Sequence, residues 1–205
     1  MLKLVCQSSK FSFFLMLIIS LPIFLETPFL LGIWLKEIPD YTIIFTRLVI
    51  INALIDVLAN PLASAMQAYG KIRNYHLVCG GFILTILPIS YVLLRLGFPP
   101  ESAFYVSIVI SAFAIFLRLI FVHYCIGLSL RAYFLNVLLP AITVALIASV
   151  IPCVLEAQIA NTIVRFFVVI LTSVLTTSLS VAIIGLNKSE RQHVLSEIRN
   201  KLKIF

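Results

Sequence analysis

The chain has 205 residues, of which 62% are hydrophobic and 11% charged, with a mean hydropathy of +1.16 and a formal net charge of +7. A soluble domain carries roughly half apolar and a quarter charged residues, so this composition excludes an ordinary soluble enzyme and a disordered chain. The 15 Lys and Arg are spread among long apolar runs, which excludes nucleic acid as a partner; in a membrane protein such charge marks the cytoplasmic side.

Six segments are apolar over the length of about 20 residues that a helix needs to cross the hydrocarbon core. They cover 11–35, 41–65, 77–96, 102–125, 132–155 and 163–186, joined by short polar linkers. Backbone groups cannot go unpaired in lipid, so these runs are expected to be helices, and the fold class is an all-α integral membrane bundle. The first is interrupted near Glu26, Thr27 and Pro28. It lacks the small-residue cleavage site of a secretory signal, so it reads as an uncleaved helix. Pro88, Pro140 and Pro152 fall inside apolar spans and predict kinks. Thr172, Ser173, Thr176, Thr177 and Ser180 give the sixth span small hydroxyl side chains suited to close helix packing.

Basic residues set the orientation. With the N-terminus in the cytoplasm, Lys3, Lys10, Lys71, Arg73, Arg131, Lys188, Arg191, Arg199, Lys201 and Lys203 are inside, and only Lys36 and Arg95 lie in outer loops. Both termini are therefore expected in the cytoplasm. The last segment, 187–205, changes character: Asn187 and Glu190 form a capping pair, and Val194, Leu195, Ile198 and Leu202 recur at helical spacing among basic residues. It reads as a basic amphipathic helix on the inner leaflet, or as a solvated tail that enforces topology.

The second span carries the most informative polar pattern. Asn52, Asp56 and Asn60 are spaced by four, with Ser64 and Gln67 continuing the line, and residues four apart share a helical face. An ionised Asp at mid-span costs about 2.5–3.5 kcal/mol, so Asp56 is expected to face protein or a water-filled cavity. It is a candidate contact for a coupling ion or a polar substrate, weighed against a hydrogen-bonding stripe that only joins helices. Arg118, in the fourth span, is a candidate phosphate contact, or else snorkels to the inner headgroups. Glu26 either lines an outward opening or caps the helix break. Arg47 and Arg165 read as boundary anchors.

Cys6, Cys79, Cys125 and Cys153 show no metal or redox spacing, and His76, His123 and His193 are dispersed. No nucleophile with its base and no phosphate-binding glycine loop is apparent, so the chain does not read as an enzyme.

Four stretches carry a family resemblance: PFLLGIWLKEIPDY (28–41), LVIINALIDVLANPLASAMQAYGKIRNY (48–75), LPISYVLLRLGFPPES (87–102) and GLNKSERQHVLSEIRNK (185–201). In their order and loop lengths they resemble the C-terminal half of bacterial polysaccharide flippases, the Wzx-like branch of the multidrug/oligosaccharidyl-lipid/polysaccharide exporter superfamily. The resemblance implies translocation of an undecaprenyl-pyrophosphate-linked oligosaccharide across the bacterial inner membrane for O-antigen or capsule assembly. It implies no cofactor beyond an H⁺ or Na⁺ gradient. Its partners would be the lipid-linked oligosaccharide, membrane lipids, and a missing N-terminal lobe or a second copy, since six spans correspond to one lobe of a two-lobe, alternating-access transporter. On this reading Asn52, Asp56 and Asn60 look toward the inter-lobe cavity and Arg118 holds pyrophosphate. The competing readings are an inactive truncated fragment, half of a drug or cation exporter from the same superfamily, and a membrane polysaccharide polymerase, which the short outer loops disfavour.

Overall fold

The computed structural model describes residues 2–70, 72–159 and 161–186. The expected basic helix over 187–205 lies outside the described residues. Among the described residues every regular element is helical: α1 (Leu2–Leu25), α2 (Thr27–Trp34), α3 (Thr42–Tyr69), α4 (Ile72–Leu84), α5 (Ile86–Arg95), α6 (Ser102–Ile126), α7 (Leu130–Tyr133), α8 (Leu139–Gln158) and α9 (Thr162–Ser180). They combine into six helical segments long and apolar enough to cross a membrane: Leu2–Leu25, Thr42–Tyr69, Arg73–Arg95, Ser102–Ile126, Leu130–Gln158 and Thr162–Gly185. The protein is an all-α membrane bundle.

The first span starts at Leu2 rather than near Phe11. The polar residues that argued for a later start turn inward: Ser9 and Lys10 are buried against the bundle, so they do not meet lipid. Helix α1 is the central element, packed against α3, α8 and α9. The larger apolar core lies at the end of the bundle that carries the N-terminus. There Phe14 and Leu17 of α1, Leu62 and Met66 of α3, Val122 of α6 and Val137 and Val144 beyond α7 pack together. Tyr133 is fully buried among them and donates its hydroxyl to the Leu58 carbonyl at 2.8 Å. A smaller cluster of Leu21, Leu25, Ala148 and Val169 continues the core along α1, α8 and α9. Large apolar side chains such as Leu15, Phe113, Leu146, Phe167 and Leu171 are exposed on the outside, as suits a bundle solvated by acyl chains, where packing rather than apolar burial joins the helices.

Three of the prolines act as the missing donor predicts. Pro28 cannot bond the Phe24 carbonyl, and the chain breaks into α1 and α2 at Glu26. Pro88, which cannot bond the Leu84 carbonyl, follows the break at Thr85 between α4 and α5, where the Phe82 carbonyl accepts from both the Thr85 amide at 3.2 Å and the Thr85 hydroxyl at 2.6 Å. Pro140 follows a π-helical turn over Phe134–Leu138 that leads into α8. Pro152, by contrast, sits inside α8 without interrupting it.

The carbonyls freed at the first break are satisfied from within the protein. Thr27 donates its hydroxyl to the carbonyls of Ile23 at 2.6 Å and Phe24 at 3.0 Å. Arg47, one helix away on α3, donates Nε to the Phe24 carbonyl at 3.1 Å and a terminal nitrogen to that of Leu25 at 3.4 Å, with its guanidinium 5.5 Å from the Phe24 ring centroid. Arg47 is thus a clamp on the break as well as a boundary residue. Hydrogen bonds from a charged donor contribute about 1.5–3 kcal/mol, and Arg47 is only half-buried, so Arg47→Leu should lower stability by about 1.5 kcal/mol in thermal unfolding in neutral detergent. Arg47→Lys, with one donor point in place of a fork, should recover part of that loss. Native-like melting of Arg47→Leu would show that the clamp contributes nothing.

Candidate functional site

The α3–α6 contact is among the most extensive in the bundle. On α3 before Leu58, polar side chains enter it at Asn52 and Asp56. Asn52 on α3 donates its side-chain amide to Asp56 Oδ2 at 3.0 Å. Ser107 on α6 donates to Asn52 Oδ1 at 3.4 Å, and Ser111 of α6 also faces Asp56. Asn52 thus links the carboxylate to α6, acting as donor on one side and acceptor on the other. Both Asn52 and Asp56 are half-buried, so this is a seam that opens at one edge.

Arg118 lies further along α6, where α3, α4 and α6 meet. It is within electrostatic reach of Asp56, and of Tyr75 and Cys79 on α4. Its Nε and the Tyr75 hydroxyl are buried without a hydrogen-bond partner among the described residues. The guanidinium is therefore folded partly into the protein. The structure brings Asn52, Asp56 and Arg118 into one region, joined by Ser107, Ser111 and Tyr75.

Asn60 does not join them. It is exposed, as are Ser64 and Gln67, and Ser64 only bonds back to the Asn60 carbonyl at 3.2 Å. Helix geometry accounts for the divergence: each four-residue step turns a side chain about 40° further around the axis. The polar line that starts against α6 at Asn52 winds onto the open side of α3 by Asn60. With α3 centred on the bilayer, Asn60 and Ser64 lie about 7 and 13 Å from the midplane, inside a hydrocarbon half-thickness of about 15 Å.

Glu26 is placed elsewhere, by a contact that spacing along the chain did not reveal. It is fully buried, and Arg165 in the first turn of α9 donates Nε to Oε1 at 3.0 Å and a terminal nitrogen to Oε2 at 3.2 Å. This fork-to-carboxylate geometry is the strongest form of the pair. The Glu26 side chain makes no capping hydrogen bond to α2. It ties the α1–α2 break to α9, supported by Phe29 against Phe166 with ring centroids 4.7 Å apart. Asn161 anchors the start of α9 by accepting from the amides of Ile163 and Val164. Arg165, expected as a boundary anchor, is the partner of Glu26. The one signal in the sequence was depth, since both residues fall near the outer ends of their spans. The sixth-span hydroxyls lie where packing expects them, with Ser173 and Thr177 fully buried and Thr176 donating to the Ala148 carbonyl of α8 at 3.1 Å. Among the described residues no three His, Cys, Asp or Glu side chains come together.

Breaking a buried pair by removing one partner typically costs about 3–5 kcal/mol. The Arg165 side chain is 25% exposed and recovers some hydration, which brings the expectation for Glu26→Leu to about 2–3 kcal/mol. The Glu26→Leu/Arg165→Leu double variant should be more stable than Glu26→Leu alone, because no unpaired charge remains. Thermal unfolding of the four-member cycle measures this, and additive losses would contradict the coupling.

No protein-family model, curated protein or solved structure matches the chain, so its function rests on this geometry.

Proposed function

We propose that the chain forms one lobe of a two-lobe flippase that moves a lipid-linked oligosaccharide across the bacterial inner membrane, with both termini in the cytoplasm. The observation that carries this reading is the polar face of α3, which runs from the Asn52–Asp56 contact onto the exposed Asn60, Ser64 and Gln67. Polar groups at that depth are stable against protein or water and costly against acyl chains. A face of this kind suits one wall of a cavity whose other wall comes from a second lobe or a second copy. Asp56, held by Asn52 and within reach of Arg118, is the group suited to take up H⁺ or Na⁺ as the cavity changes its opening. Arg118 supplies positive charge for a pyrophosphate at the same place.

One observation favours this over a drug or cation exporter. Such a carrier draws its substrate with acidic side chains. Glu26, at the break after the first span, is neutralised by Arg165, and Asp56, at mid-span on α3, lies near Arg118. The balance of charge on the seam therefore does not favour a cation.

The test is complementation of a bacterium that lacks its polysaccharide flippase. The chain, co-expressed with the N-terminal lobe of such a flippase, should restore surface polysaccharide display. Asp56→Asn should markedly reduce that display at equal expression, since an intramembrane ionisable residue of this kind is read as functional. Full display with Asp56→Asn would remove Asp56 from the mechanism. Failure of the native chain in every pairing would favour an inactive fragment.

A further inference from the structure

The turn between α6 and α7 places a basic residue at the end of an apolar groove, away from the α3–α6 seam. Gly127 ends α6 in a left-handed conformation with φ of 81°, which glycine adopts without strain. His123 Nδ1 lies 2.8 Å from the Leu128 carbonyl and fixes the loop. Ser129 then accepts from the Ala132 amide at 3.4 Å and starts α7. Arg131 stands in this short helix, at the start of the fifth span. It is exposed, and among the described residues it pairs with no carboxylate. Just after it, the π-helical turn Phe134–Leu138 locally widens the helix.

The groove lies between α6 and this turn and has a volume of about 460 Å³. Buried Leu119 and Leu138 form its floor, and the exposed side chains of Phe116, Ile120, Phe134 and Leu135 form its walls. Leu130 and Arg131 line the end nearest the loop, and among the described residues that line the groove Arg131 alone is charged. At about 1.5 Å per residue, Phe116 lies about 15 Å along α6 from its end at Ile126, and Leu138 about 12 Å along the chain from Leu130. The hydrocarbon of one leaflet is about 15 Å deep. The groove therefore spans the depth of one leaflet, with its charge at the headgroup end.

We propose that this groove holds an acyl chain of an anionic phospholipid whose phosphate lies on Arg131. The apolar lining sets the class of occupant, and Arg131 selects its headgroup. A guanidinium pairs with phosphate in a fork of two hydrogen bonds, and basic pockets between membrane helices hold anionic headgroups in this way. A zwitterionic lipid offers the same phosphate but carries a compensating cation, which Arg131 repels. The groove's dimensions disfavour a helix from a second copy. About 460 Å³ spread over about 15 Å gives a cross-section of about 30 Å². That admits an extended chain, whereas a helix about 10–12 Å across is too wide. The proposal stands independently of the transport reading, because it uses none of the residues on the α3–α6 seam.

The experiment takes the full chain in neutral detergent. Native mass spectrometry compares retention of phosphatidylglycerol with that of phosphatidylcholine carrying the same acyl chains. Phosphatidylglycerol should be retained in preference. Arg131→Gln should lower that preference about fivefold, the factor that corresponds to about 1 kcal/mol for one basic residue at a membrane surface. Arg131→Lys, which keeps the charge, should retain most of it. Leu135→Trp should fill the groove and release the lipid, whereas Leu146→Trp, on the exposed side of α8, should leave it bound. All of these positions are exposed, so the variants keep the core intact. Equal retention of the two lipids by the native chain overturns the proposal, as does an unchanged preference in both Arg131→Gln and Leu135→Trp. A dimer that holds no lipid and dissociates in Leu135→Trp would assign the groove to a second copy and also overturn it.

Discussion

Within hydrocarbon, a charge or an unpaired backbone group finds no hydrogen-bond partner except the protein itself. The arrangement of this bundle follows from that constraint. Where Pro28 removes a donor, the freed carbonyls are taken by Thr27 and by Arg47 from α3. Where Glu26 is buried at the same break, Arg165 arrives from α9 to accept its charge. One interruption in the first span thereby fixes the positions of two distant helices. The interruption would be a weak point if its groups were left open, and it becomes the junction of α1, α3 and α9.

The same constraint separates structural from candidate functional polarity. Glu26, Arg165 and Arg47 satisfy one another and the backbone around them, so their polarity is internal. The α3 line is different in kind. Its first part pairs with α6 through Asn52, Asp56 and Ser107, while Asn60 and Ser64 remain on the outside at membrane depth. A stripe meant only to join two helices would stay within their contact. This one winds out of it, and that is the physical ground for reading α3 as the wall of a cavity.

Much of the fold was legible in the sequence because hydropathy reports length and composition, and these decide whether a helix crosses a membrane. The breaks were legible for a similar reason: Pro28 and Pro88 change the local donor count whatever surrounds them. Rotation of each helix was not legible, since apolar side chains line the inside and the outside alike and the helical periodicity that marks a soluble core is lost. Lys10 therefore read as a residue before the span and is instead buried in it. Glu26 and Arg165 are 139 residues apart, and only their similar depth hinted at a pair. Asn60 was grouped with Asp56 by spacing alone, although a four-residue repeat drifts around the helix. Tyr75, Ser107 and Ser111 gave no signal, because isolated hydroxyls are common in apolar spans.

The central claim is that the open side of α3 does not face lipid. Spin labels replacing Asn60 and Ser64 in the membrane-embedded protein, compared with labels replacing the exposed Ile142 and Leu146 of α8, measure this by relaxation with molecular oxygen and with a water-soluble nickel chelate. Oxygen concentrates in acyl chains and the chelate in water. The account predicts low oxygen accessibility at 60 and 64, with chelate accessibility if the cavity is wet, and the reverse at 142 and 146. Oxygen accessibility at 60 and 64 equal to that at 142 and 146 would place the polar face against lipid and contradict the account.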